Sequence, residues 1–135
     1  MVEVLSHQKR PINPDAVRAL YDSAEWWPQR TAERIAFMLQ EGIPFGAWDE
    51  DRLVGFARAI SDGCFHAYID DVVMHPDWRR RGVALGLLAQ LLNELSEIDT
   101  ISLFCEPELV ALYEAAGFKA RPRQVMLHLQ RERSG

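Results

Sequence analysis

The sequence predicts an α/β protein, a central mixed β-sheet flanked by helices on both faces. Short apolar, partly alternating runs that read as strands recur between stretches whose apolar residues fall at helical spacing. Their order is strand, two helices, three strands, helix, strand, helix, strand. Three successive strands joined by tight turns imply antiparallel pairing, whereas strand–helix–strand implies a parallel pair, so one sheet carries both. At 135 residues the chain is expected to form a single domain over 1–135, large enough to bury a real core.

Val2–Leu5 is a short first strand. Asn13-Pro14-Asp15 starts a helix with a capping asparagine, a proline at the first helical position and an acid in the first turn. Val17, Leu20, Tyr21 and Ala24 are its apolar face, and Trp26-Trp27-Pro28 interrupts it. Thr31 caps a second helix, with Ile35, Met38 and Leu39 inward and Gly42 at its exit. Ile43–Trp48 and Leu53–Ile60 form a hairpin across Asp49–Arg52, and Ser61-Asp62-Gly63 turns into the strand Phe65–Met74. Thr100–Cys105 is a further strand, Pro107 opens a helix that Gly117 closes, and Gln124–Leu129 alternates as a last strand.

Most of the chemistry gathers around Ile69–Leu95. A β-branched strand with two carboxylates, Asp70 and Asp71, ends at His75-Pro76-Asp77. After Arg79-Arg80-Arg81-Gly82, Ala84, Leu87, Leu88, Leu91, Leu92 and Leu95 form the stripe of an amphipathic helix. A basic, glycine-containing turn before a helix is an anion site, because the first amides are unpaired and the dipole is positive there. Asp70 and Asp71 are adjacent on a strand, so their side chains are expected on opposite faces, with only one in a cleft.

Composition narrows the partners. A formal charge of −5 and a basic run of only three residues argue against a nucleic-acid partner. No run is long enough for a membrane span, the first residues lack a signal-peptide pattern, and a cytoplasmic location is the expectation. Cys64 and Cys105 lack metal-ligand spacing and read as reduced, buried thiols, and no metal site is expected.

With Arg79-Arg80-Arg81-Gly82-Val83-Ala84 after the strand and Leu112-Tyr113-Glu114-Ala115-Ala116-Gly117-Phe118 downstream, the chain resembles the GNAT superfamily of acyl-CoA-dependent N-acyltransferases. The resemblance covers nearly the whole chain. It implies acetyl-CoA as cofactor, its pyrophosphate on the backbone from Arg81 through Val83, Ala84 and Leu85 to Gly86, with Arg79, Arg80 and Arg81 adding charge. It further implies that the backbone of Val72, Val73 and Met74 pairs with the pantetheine arm. Tyr113 is implied as the acid that protonates the departing thiolate. Arg80 and Ala84 stand where many members have glycine, and Glu106 where many have asparagine beside the cofactor.

Gly55-Phe56-Ala57-Arg58-Ala59, Ser61-Asp62 and Asp71-Val72 are similar to plant-type serotonin (aralkylamine) acetyltransferases. On that match Asp71 is the carboxylate in the cleft, expected to serve as the base directly or through water, and Asp70 departs from an aromatic position; Asp70 is a candidate substrate contact. His66 and His75 are secondary candidates for the base. Trp26, Trp27 and Phe45 are expected to wall the acceptor, as an aromatic surface for a small primary amine. A protein amine, and a non-catalytic acyl-CoA-binding module, are the rival readings. The alternating Gln124–Leu129 edge suits a homodimer.

Overall fold

Three successive runs of alternating residues zip into the antiparallel part of a five-stranded sheet. The structure, a computed structural model, describes residues 1–132. β1 (Val2–Ser6), β2 (Ile43–Asp49), β3 (Arg52–Ser61) and β4 (His66–Met74) pair antiparallel in that order. β5 (Thr100–Ser102) adds to β4 in parallel, which makes the sheet mixed as expected.

Local capping sets the helices. Asn13 Oδ1 accepts from the Asp15 amide at 2.8 Å at the start of α1 (Pro14–Ser23). Thr31 Oγ1 accepts from the Arg34 amide at 3.2 Å at the start of α2 (Ala32–Glu41). Each such cap stabilises by about 1 kcal/mol. α3 (Val83–Glu94) begins after Gly82 and buries Val83, Leu87, Leu88 and Leu91.

Adjacent residues of β3 show which helix covers which face, because neighbours on a strand point oppositely. Phe56 packs with Tyr21, Val17, Leu20, Ile35 and Leu39 of α1 and α2, together with Trp48 and Val73. Gly55 faces the other way, where a β-carbon would lie 2.7 Å from Met74 Sδ and 3.1 Å from Leu87 Cδ1 of α3. Helices therefore flank both faces. Burying a large side chain such as Phe56 contributes about 1.5–3 kcal/mol.

Residues 1–103 form one compact unit, and the residues from Phe104 onward form another. In the second, a 3₁₀ turn at Pro107–Leu109 runs into α4 (Val110–Ala115). Gly117, at φ 105°, takes the left-handed conformation that ends it. The Phe118 amide then donates to the Tyr113 carbonyl at 3.1 Å, and the two rings meet edge-to-face at 6.1 Å.

Two expectations are corrected. Gln124–Leu129 forms no strand: no ladder bonds engage it among the described residues, and Val125, Leu127 and Leu129 are 79, 90 and 78% exposed. Alternation alone supplies no pairing edge, and a strand needs both. Cys64 and Cys105 are exposed rather than buried, because each lies beyond a strand end, in a turn or an irregular stretch.

Candidate active site

Strand β4 carries one more residue than its partner spans. Arg58 pairs with Asp70 and Phe56 with Val73, so two steps along β3 match three along β4. The extra residue is accommodated at Asp71, whose φ of 57° lies in the left-handed region. Aspartate tolerates that conformation better than most residues, though strain of order 1 kcal/mol remains. The bulge overturns the expectation of opposite faces. Asp70 and Asp71 both turn toward the face covered by α1 and α2, where a single guanidinium meets them both.

Asp71 is the buried charge of the site, with 5% exposure. Its Oδ2 accepts from Arg58 Nε and Arg30 Nη1, each at 2.8 Å, and from the Tyr21 hydroxyl at 3.0 Å. Its Oδ1 accepts from Trp27 Nε1 at 3.2 Å. Burial alone would raise its proton affinity, but the bonds and charges of Arg58 and Arg30 prevail and hold it below the usual carboxylate range. Four donors and a depressed pKa make Asp71 a poor proton acceptor, contrary to its expected role as the base. Asp70 is less constrained: its Oδ2 accepts from Arg58 Nη2 at 3.1 Å, and its side chain is 28% exposed. Burial, and then the charge of Asp71, push its pKa above the ordinary value, with Arg58 only partly offsetting them.

The connection between α1 and α2 supplies two of the four donors. It holds Glu25 and Trp27 at φ 59° and 50°. Trp27 is partly buried against the α1–α2 core, and the Arg30 guanidinium lies 4.2 Å from its ring centroid. Its indole nitrogen is thus committed to Asp71. Trp26, at 37% exposure, presents the free aromatic surface. Phe45 does not wall this site. It pairs with Ala57, whose face is opposite to that of Phe56 and Arg58, and it is 5% exposed.

The turn after β4 has the form an anion requires. Gly82 takes φ 78°, and no side chain caps the first turn of α3. The amides of Val83, Ala84 and Leu85 therefore lack helical partners, while the Gly86 amide closes the first helical bond to Gly82. Arg79, Arg80 and Arg81 are exposed around it. Arg80 itself sits at φ 63°, which explains why glycine suits this position in the family the sequence resembles. β5 pairs only with His66–Tyr68, so no strand of the described residues pairs with that edge of β4 along Val72–Met74.

In the second unit Tyr113 is buried, and among the described residues no hydrogen bond engages its hydroxyl. Burial, and then the charge of Cys105, push that hydroxyl up to about 12. Glu106 is exposed, and its carbonyl accepts from the Leu109 amide at 2.9 Å. His75 bridges Arg52 at 2.9 Å and the Asp77 amide at 3.1 Å, which is a turn-stabilising role. His66 is exposed at the start of β4.

The sequence reading missed Tyr21, Arg30 and Arg58 as members of the site. Arg58 left a signal, being a charge in the otherwise apolar run Leu53–Ile60 opposite a pair of acids. Tyr21 looked like any core aromatic on a helix stripe, and Arg30 like a loop charge.

A sheet whose fourth strand has an open edge and ends at an uncapped, arginine-flanked helix start defines a class of α/β protein. Its members are suited to lay an anionic, strand-like ligand along the sheet. This chain belongs to the acetyltransferase (GNAT) family, whose profile matches residues 5–118. It is 46% identical over 118 residues to an uncharacterized N-acetyltransferase, ycf52, of Gracilaria tenuistipitata var. liui, covering 82% of this chain and 64% of that one. It is 29% identical over 123 residues to histone acetyltransferase TAP1 of Glycine max, covering 81% and 53%. A GNAT-family acetyltransferase structure from Streptococcus pneumoniae shares the fold at a TM-score of 0.81 and 23% identity, covering 98% of this chain and all of that one. The chain spans between two fifths and two thirds of the length of the curated relatives it matches first.

Proposed function

We propose that this protein is an acetyl-CoA-dependent N-acetyltransferase acting on a small primary amine, with aralkyl amines the first to test. The observation that carries the reading is the uncapped start of α3, with Gly82 at φ 78° and three exposed arginines, at the end of an open-edged β4. The residues present fit acetyl-CoA: amides 83–85 suit its pyrophosphate, and the Val72–Met74 backbone suits its amide-bearing arm. When bound, it supplies a thioester acyl group that a neutral amine attacks.

The chain's own residues then divide the work. Asp70, raised in proton affinity and accepting one side-chain bond, takes the proton that the ammonium must lose. Asp71 holds its surroundings in place. The Met74 amide suits a developing oxyanion. Tyr113, neutral across the working pH range and without a hydroxyl partner among the described residues, returns a proton to sulfur. Trp26 offers the acceptor an aromatic face.

Calorimetric titration of acetyl-CoA, followed by free-thiol release across an amine panel, tests the reading. Thiol release with a small amine supports it. Tight binding without release from any amine would leave a binding module instead. The likeness to a protein named as a histone acetyltransferase favours a second reading, a lysine-bearing peptide as acceptor, so histone-tail peptides belong in the same panel. A homodimer through the exposed apolar side chains of Val125, Leu127 and Leu129 is part of the proposal, and light scattering tests it.

A further inference from the structure

The cluster around the bulge contains two carboxylates and two guanidiniums in one hydrogen-bonded set, and its connectivity is uneven. Among the described residues, the side chains of Arg30, Arg58, Tyr21 and Trp27 all donate to Asp71, whereas Asp70 takes one side-chain bond, from the outer nitrogen of Arg58, besides the backbone amide of Asp71. The side chain of Asp71 is 1% exposed, against 28% for Asp70. A buried carboxylate already holding four side-chain donors, beside a partly exposed one sharing its guanidinium, invites separate roles.

We propose that Asp71 is a positioning residue for Asp70. It draws the Trp27–Arg30 connection onto β4, and by occupying Arg58 Nε it leaves Asp70 a single side-chain bond, poised to take a proton from the acceptor amine. The proposal rests on the acetyltransferase reading with Asp70 as the proton acceptor.

The charges that face Asp70 are Arg58 on β3, Asp71 on β4 and Arg30 in the α1–α2 connection; the titratable hydroxyl of Tyr68 on β4 faces it as well, while that of Tyr21 on α1 is bonded to Asp71. Coulomb's law then gives a signature with two signs. Removing the negative charge of Asp71 leaves Asp70 facing two uncompensated cations, so its hold on a proton weakens. Removing the positive charge of Arg30 does the reverse. A purely structural role predicts otherwise. Loosening the cluster admits water, and water lowers the proton affinity of a buried carboxylate in either variant.

The test is a ¹³C-carboxylate NMR titration of the full chain labelled at aspartate, with the Asp70 resonance identified by its loss in Asp70→Asn. The Asp70 midpoint is expected to fall by about one pH unit in Asp71→Asn and to rise by up to about one in Arg30→Gln. A fall or no change in Arg30→Gln overturns the coupling, and that variant decides alone if Asp71→Asn does not fold. The titration requires neither acyl donor nor amine, so its outcome is independent of turnover. The acid limb of kcat/KM, measured on the amine that releases thiol, should follow the midpoints in direction. A limb that ignores both variants while the midpoints move refutes Asp70 as the acceptor and leaves the charge coupling standing.

Discussion

Asp70 and Asp71, consecutive on a β-strand, lie on the same face of the sheet and share the guanidinium of Arg58, whose Nε reaches Asp71 at 2.8 Å and whose Nη2 reaches Asp70 at 3.1 Å. Regular pleating forbids that arrangement, and a single left-handed residue at Asp71 makes it possible.

Breaking this pairing from one side is expected to be costly. Asp71→Ala leaves Arg58, with 12% side-chain exposure, without its buried counter-ion. A stability loss of about 3–5 kcal/mol follows. Urea denaturation at pH 7 measures it. A loss under 1 kcal/mol would mean that Arg58 finds compensation elsewhere.

The same pair predicts an acid dependence with a definite sign. The proton affinity of Asp71 is depressed on folding, so its stabilisation is present above the ordinary aspartate value of 3.8 and is lost as pH falls through its folded value. The stability difference between wild type and Asp71→Asn should therefore shrink as pH is lowered below about 4. A gap that stays constant from pH 7 to pH 3 argues against a charge-based origin.

Tyr113 behaves oppositely. Its hydroxyl is raised from 10.0 to about 12 on folding, so its stabilisation is present below pH 10 and is lost as pH rises toward 12. Tyr113→Phe should remove that alkaline loss with little change at pH 7, since no hydrogen bond of the hydroxyl is deleted. If the residue is the proton donor to sulfur, kcat should fall by about 10²–10⁴-fold. Steady-state kinetics beside a thermal melt separates the two effects, and an unchanged kcat removes the donor role.

The arginine turn offers a matched pair of substitutions. Gly82→Ala forces a β-carbon onto φ 78°, costing about 1 kcal/mol, although nothing stands within 4 Å of it. Arg80→Gly relieves φ 63° and should leave the melting temperature unchanged or raise it, while removing one charge near the helix start. Acetyl-CoA affinity is expected to weaken in both, with the salt dependence reduced only in Arg80→Gly. Calorimetry at two ionic strengths checks this.

Much of the fold was legible because its signals are local. Asn13 and Thr31 as caps, Gly82 before a leucine stripe, and Gly117 followed by Phe118 act over a few residues, and the structure places each where the pattern put it. The failures share a cause. Gln124–Leu129 has the alternation of a strand, but pairing needs a partner that alternation does not specify. Phe45 is aromatic and close in sequence to site segments, yet its register opposite Ala57 turns it to the other face.

The sequence by itself determined the element order as far as α4, the helix starts and the anion-ready turn, because hydrophobic period, capping and left-handed glycine are properties of short stretches. Only the tertiary structure decided the different settings of the two aspartates. Which carboxylate is buried, which is half-open and which cations reach each depends on one inserted residue in β4 and on donors 13, 41, 44 and 50 positions away in the chain. Electrostatics acts through space, and the order of residues does not record the distances that set it.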